Sequence, residues 1–137
     1  MTRGRSKYRI PAPTLPHKGA IPSVPAKEPN ARISFERVEA GAEYCLSWCA
    51  RDQVKEAVDA LRQVSSLPWR AIYSLAGLRL KSLPDSALLG VKRPSWLSQD
   101  IGIIEIRASQ RFRILGYREA NDLVVLWFDP DHEATGR

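Results

Sequence analysis

Between residues 103 and 128 three apolar runs, 103–108, 112–117 and 123–128, follow one another with only a few residues between them. Each is of strand length, and Asn121-Asp122 mark the second connection as a turn. The segment therefore predicts a three-stranded meander. The run 123–128 (Leu-Val-Val-Leu-Trp-Phe) is apolar on both faces, which suits a central strand.

Upstream the pattern changes. Val54, Ala57, Val58, Leu61 and Val64 recur at helical spacing, opposite Lys55, Glu56, Asp59 and Arg62. This predicts a helix over about 52–65 with Asp52 as N-cap and a Lys55/Asp59 pair four residues apart. Ser66-Leu67-Pro68-Trp69 reads as a second helix start and Gly77 as its stop. Ile33, Phe35 and Val38 suggest a first strand, and Tyr44 to Cys49 an antiparallel partner across an Ala40-Gly41-Ala42 turn. Residues 78–101 are broken by Pro84, Gly90 and Pro94, and Leu88, Leu89, Val91, Trp96 and Leu97 suggest a loop that packs inward. The order hairpin, two helices, meander gives an α+β domain, with two helices packed on one face of an antiparallel sheet.

Charge divides the chain further. Its 137 residues carry 21 Lys and Arg against 15 Asp and Glu, a net of +6. Residues 1–30 hold six of those bases, one acid and six of the ten prolines. Proline removes backbone donors, and few large apolar residues are present to offset ordering entropy, so 1–30 reads as a disordered basic tail preceding a folded domain at 31–137. Such a tail serves either loose attraction to nucleic acid or an acidic partner, or simple solubility. The rest is close to neutral, with one basic segment at 79–118 that holds eight bases and three acids. No run of about 18 apolar residues is present and no apolar segment follows the basic start, so neither a membrane span nor a secretory signal is expected.

The first hairpin of the meander concentrates the charge. With Ser109-Gln110-Arg111 as a three-residue loop, Ala108 faces Phe112, Ile106 faces Ile114 and Ile104 faces Gly116 on an apolar face. The same register sets Arg107 directly opposite Arg113 on the other face. Two paired arginines repel, so something must offset the cost: an oxyanion such as phosphate, held by two guanidinium forks, or solvent, Glu105 or a loop acid. Antiparallel topology then lays the residues after Phe128, Asp129-Pro130-Asp131-His132-Glu133, beside Arg111 and Arg113.

A histidine beside clustered arginines has the ingredients of metal-independent RNA cleavage. One group must take the proton of the attacking 2′-hydroxyl and another must protonate the leaving 5′-oxygen, and imidazole suits either task near neutral pH. Preorganised arginine contacts to the developing phosphorane are each worth roughly 2.7–4 kcal/mol. His132 is the candidate acid or base, Arg107 and Arg113 the phosphate ligands, and Arg111, Lys81, Lys92 and Arg93 candidate contacts to RNA. Asp129, Asp131, His132 and Glu133 could also ligate a metal, but no second cluster completes a site, so no metal and no cofactor is expected. Cys45 and Cys49, about 13 Å apart if on a strand, are expected to be buried thiols in a reducing cytoplasm.

Glu105-Ile106-Arg107, Phe112-Arg113-Ile114-Leu115-Gly116-Tyr117 and Leu126-Trp127-Phe128-Asp129-Pro130-Asp131-His132 together resemble the RelE/ParE-like toxin superfamily, closest to the branch whose chains end in a Trp-x-Asp-Pro-x-His sequence. The resemblance covers about 102–132 in sequence, and 33–75 only by order of elements. It implies two helices on an antiparallel sheet, and a toxin that cleaves mRNA, free or on the ribosome, held inactive by an antitoxin protein. It also matches Arg107 and Arg113 to the family's strand arginines and His132 to the catalytic histidine of the members related to YoeB. Those members carry a catalytic tyrosine next, where this chain has Glu133. ParE-type members keep the fold and inhibit gyrase without cutting RNA, so a non-catalytic module that binds a protein or nucleic acid is the alternative.

Overall fold

A computed structural model of the chain describes residues 28–39 and 41–135. The tail expected at 1–30 lies outside this range up to residue 27. Of its last residues, Glu28 forms an ion pair with Arg70 at 3.6 Å, and the Asn30 carbonyl accepts the Asn121 side-chain amide.

Helix α1 (Arg51–Ser65) buries Ala57, Ala60, Leu61 and Val64. Val58 points about 100° away from the centre of that stripe and is exposed, so the buried face is narrower than the apolar spacing suggests. The helix begins one residue earlier than expected. Ala50 is the N-cap, its N–H donating to Gln53 Oε1 at 2.8 Å, while Asp52 sits in the first turn, where its charge meets the positive end of the helix dipole. Lys55 and Asp59 pair as expected, at 2.6 Å. Helix α2 (Trp69–Ser74) starts just after Pro68 and ends before Gly77 is reached. Trp69 is buried and donates its indole N–H to the Asn121 carbonyl at 2.9 Å, which ties the helix to the turn at Ala120-Asn121.

The strands are β1 (Arg32–Ser34), β2 (Lys81–Leu83), β3 (Ile103–Arg107), β4 (Arg113–Glu119) and β5 (Asp122–Asp129), in the order β1-β5-β4-β3-β2. The meander is present, but β5 is not the edge of an all-antiparallel sheet. Its free side takes β1 in parallel, Ile33 opposite Leu123, so the sheet is mixed. The chain leaving β1 passes through both helices and three further strands before β5, and that long route permits parallel pairing where a tight hairpin would not. The expected partner of β1, Tyr44 to Cys49, is no strand. Tyr44 has a left-handed backbone (φ 66°), Leu46–Trp48 form a short 3-10 turn, and the Tyr44 carbonyl accepts the Phe128 N–H at 2.8 Å beyond the end of β1. Residues 78–101 hold β2 and a second 3-10 turn, Asp85–Ala87. Leu97 packs inward there, while Leu89 is 71% exposed.

The two faces of the sheet have separate cores. Ile104, Ile106, Phe112, Ile114, Leu123, Val125 and Phe128 pack under the helices. Ile103, Tyr117, Val124 and Leu126 pack with Leu97 on the opposite face. The β4–β5 register shifts between Leu115 and Gly116, and a Cβ on Gly116 would stand 2.2 Å from the Val124 carbonyl oxygen, so only glycine fits the bulge. No helix among the described residues is long and apolar enough to cross a membrane.

Candidate active site at the arginine end of the sheet

Alternation along β3 sends Ile104 and Ile106 to the helices and Glu105 and Arg107 to the other face. The β3–β4 register pairs Ile104 with Gly116, Ile106 with Ile114 and Arg107 with Arg113, as the three-residue loop requires. The turn is closed by the Ala108 N–H donating to the Phe112 carbonyl at 2.9 Å, and by the Phe112 N–H donating to Ser109 Oγ at 3.2 Å.

On the far side of Arg113 stands Asp129, the last residue of β5. Its carboxylate folds the chain back over the sheet, because Oδ1 accepts the Glu133 N–H at 2.9 Å and Oδ2 the Ala134 N–H at 2.8 Å. Within this loop His132 has a left-handed backbone, φ 58°, a conformation uncommon outside glycine. The returning segment is anchored by Ala134 and Thr135, both buried, and by the Leu89 and Gly90 N–H groups donating to the Ala134 carbonyl.

These elements converge on Glu105, whose side chain is 4% exposed. Its Oε1 faces Lys81 Nζ at 3.6 Å and Arg113 Nε at 3.9 Å; its Oε2 faces His132 Nε2 at 3.6 Å and receives the Thr135 hydroxyl at 3.4 Å. His132 and Arg113 thus stand on opposite oxygens of one buried carboxylate. The arginine pair is also tied down by its own turn. Arg107 Nε donates to the Ser109 carbonyl at 3.2 Å, and Arg113 Nη1 to the carbonyls of Ser109, Gln110 and Phe112 at 2.9–3.2 Å. Burial holds the Arg113 guanidinium below the ordinary arginine value, the Glu105 and Asp129 carboxylates act against that shift, and the Arg107 and Arg79 cations add to it.

Of the four residues expected on RNA, Lys81 and Arg111 belong to this end of the molecule; Arg111 pairs with Asp131 at 3.5 Å. Lys92 lines a separate cavity. Arg93 is not a surface cation: its side chain is 9% exposed, pairs with Asp85 at 3.2 Å and donates to the carbonyls of Ser98 and Ile101, stapling its own loop. Sequence reasoning treated Glu105 only as one way to quiet the arginines and did not see it as the hub. The signal was there, since a carboxylate between two isoleucines on β3 alternates onto the Arg107 face. Nothing in the sequence pointed to Arg79 or Thr135.

The thiols border the site from the other side. Cys45 and Cys49 flank the 3-10 turn, so the spacing of an extended strand does not apply, and both are free. The Ser47 hydroxyl bonded to Cys45 Sγ at 3.3 Å holds that thiol below its ordinary value. Burial pushes Cys49 up to about 11, with Cys45, Asp131 and Asp129 adding to it. Both oxygens of Asp129 are taken by backbone N–H groups, and no group of three or more His, Cys, Asp or Glu side chains among the described residues converges to hold a metal.

No protein-family model, curated protein or solved structure matches the chain. What the site can do is read from its own chemistry.

Proposed function

We propose that this protein is a metal-independent endoribonuclease acting on mRNA, free or on the ribosome, and the toxin of a toxin–antitoxin pair in the cytoplasm. The supporting observation is the meeting of His132 and Arg113 on Glu105, with Arg107, Lys81 and Arg111 around them. In this reading Arg113 and Arg107 hold the scissile phosphate, and His132 acts as general base toward the 2′-hydroxyl or general acid toward the 5′-oxygen. Attack by the 2′-oxygen on phosphorus expels the 5′-oxygen, leaving a 2′,3′-cyclic phosphate and a free 5′-hydroxyl. Glu105 touches no substrate. It is a positioning residue that orients the imidazole and keeps the cations together until the phosphate takes over part of their charge. The cognate antitoxin follows from the motif resemblance alone.

Expression in a bacterial host tests this: wild type is expected to arrest growth, and His132→Ala and Arg113→Ala to relieve the arrest while remaining folded. Equal toxicity in both variants would sink the proposal.

A second reading is a non-catalytic module of this fold that binds a protein or nucleic acid. The anchoring of Arg113 to three turn carbonyls favours it, because that arrangement suits a fixed binding surface as well as a reactive one. Binding that survives His132→Ala and falls with Arg107→Ala and Arg113→Ala distinguishes it.

A further inference from the structure

On the second face of the sheet, beside the Glu105 cluster, lies a cavity of about 600 Å³. It is lined by Leu126 and Trp127 of β5, by residues 36–39 and 42–44, and by residues 90–92 with Pro94 and Trp96. Its inner corner is tight, since a Cβ on Gly90 would stand 2.7 Å from the Tyr44 hydroxyl and 3.1 Å from the Glu133 carbonyl oxygen. A side chain at position 90 would crowd the Tyr44 hydroxyl and the backbone of the C-terminal segment.

The lining has a definite chemical bias. Tyr44, Trp96 and Trp127 supply aromatic faces, and Glu36, Glu39 and Glu43 supply three carboxylates. Trp96 already accepts a cation: the Arg37 guanidinium lies 4.1 Å from its ring centroid. Arg37 and Lys92 are the two bases set against these three acids. That small excess of acid favours a basic side chain over a phosphate.

We infer that the occupant is the chain's own residues 1–27, which hold six Lys and Arg, no Asp or Glu and five prolines. Proline-bearing segments dock on aromatic-lined grooves with little ordering cost, and basic residues beside them meet the carboxylates. Reach is ample. The segment departs from Glu28, which is held to Arg70 on α2, and about 17 Å of strand separates Asp122 from Trp127 along β5. Lys18 is ten residues from Glu28, about 33 Å when extended. This inference does not depend on the RNA-cleaving reading.

The test is indole and amide NMR of the full chain. Replacing Arg3→Ser, Arg5→Ser, Lys7→Ser, Arg9→Ser and Lys18→Ser together is expected to shift the Trp96 and Trp127 indole resonances and leave Trp69 in place. Reciprocally, Glu39→Lys with Glu43→Lys is expected to shift the backbone amides of Lys7, Arg9 and Lys18. Absence of either response overturns the inference. Shifts that change on dilution would assign the cavity to a second copy's tail, and saturation of the same indoles by a short single-stranded RNA would make it a base pocket; both outcomes also overturn it.

Discussion

Glu105→Gln is the perturbation that reads the centre of the site most directly. The substitution keeps the shape of the side chain and one acceptor oxygen for Thr135, and removes only the charge. At an effective dielectric constant of about 20, two unit charges at the 3.9 Å Arg113–Glu105 distance attract by roughly 4 kcal/mol. Arg113 is only 14% exposed, so water screens this pair weakly, whereas Lys81 is 63% exposed and adds little. Removing one partner of a buried pair costs about 3–5 kcal/mol. Because Arg113 keeps its turn carbonyls and some solvent, about 2–3 kcal/mol is expected here. For a domain of this size, at roughly 4 °C per kcal/mol, that lowers Tm by about 8–12 °C. Urea denaturation followed by far-UV circular dichroism measures it. Inorganic phosphate is expected to recover more stability in the variant than it adds to the wild type, since the cluster has then lost a buried carboxylate. A loss below about 0.5 kcal/mol, or equal phosphate responses, would refute the view that Glu105 balances these cations.

Three further outcomes are expected. Gly116→Ala forces a Cβ against the Val124 carbonyl and is expected to cost about 1–3 kcal/mol in urea denaturation, with no such loss at Gly77, where a Cβ meets nothing within 4 Å. Cys49, with its thiol near 11, is expected to resist iodoacetamide at pH 8; because folding holds the proton above its ordinary value, Cys49 contributes stability below about pH 8.5 that is lost as pH rises through about 11, readable as falling Tm in the wild type and a flatter profile in Cys49→Ala. Arg93→Ala is expected to expose residues 85–101 to limited proteolysis without weakening RNA binding by the folded protein, since its guanidinium holds Ser98 and Ile101.

The legible part of this molecule was local. On β3 Glu105 and Arg107 alternate with Ile104 and Ile106, and a polar three-residue turn to β4 gives a register that buries Ile106 against Ile114 and sets Arg107 opposite Arg113. The short β4–β5 turn then brought Asp129 beside Arg113. Pairing between distant segments was not legible. Ile33 and Leu123 lie far apart along the chain, and a strand pattern specifies which face is buried but not which neighbour it meets. Tyr44 to Cys49 carried the aromatic bias of a strand, yet its residues serve a turn that covers the edge of β5. Arg93 looked like any other exposed base until carbonyls from its own loop surrounded it. Glu105 became a hub only when the Asp129 turn folded His132 and Thr135 back over it.

The most direct measurement of the central claim is cleavage of a single-stranded RNA in excess chelator, with the product ends identified. Wild type is expected to yield 2′,3′-cyclic phosphate and 5′-hydroxyl ends, and His132→Ala to lose about 10²–10⁴-fold in rate while its denaturation curve shows it folded. No cleavage by the wild type, or undiminished cleavage by folded His132→Ala, would contradict the account.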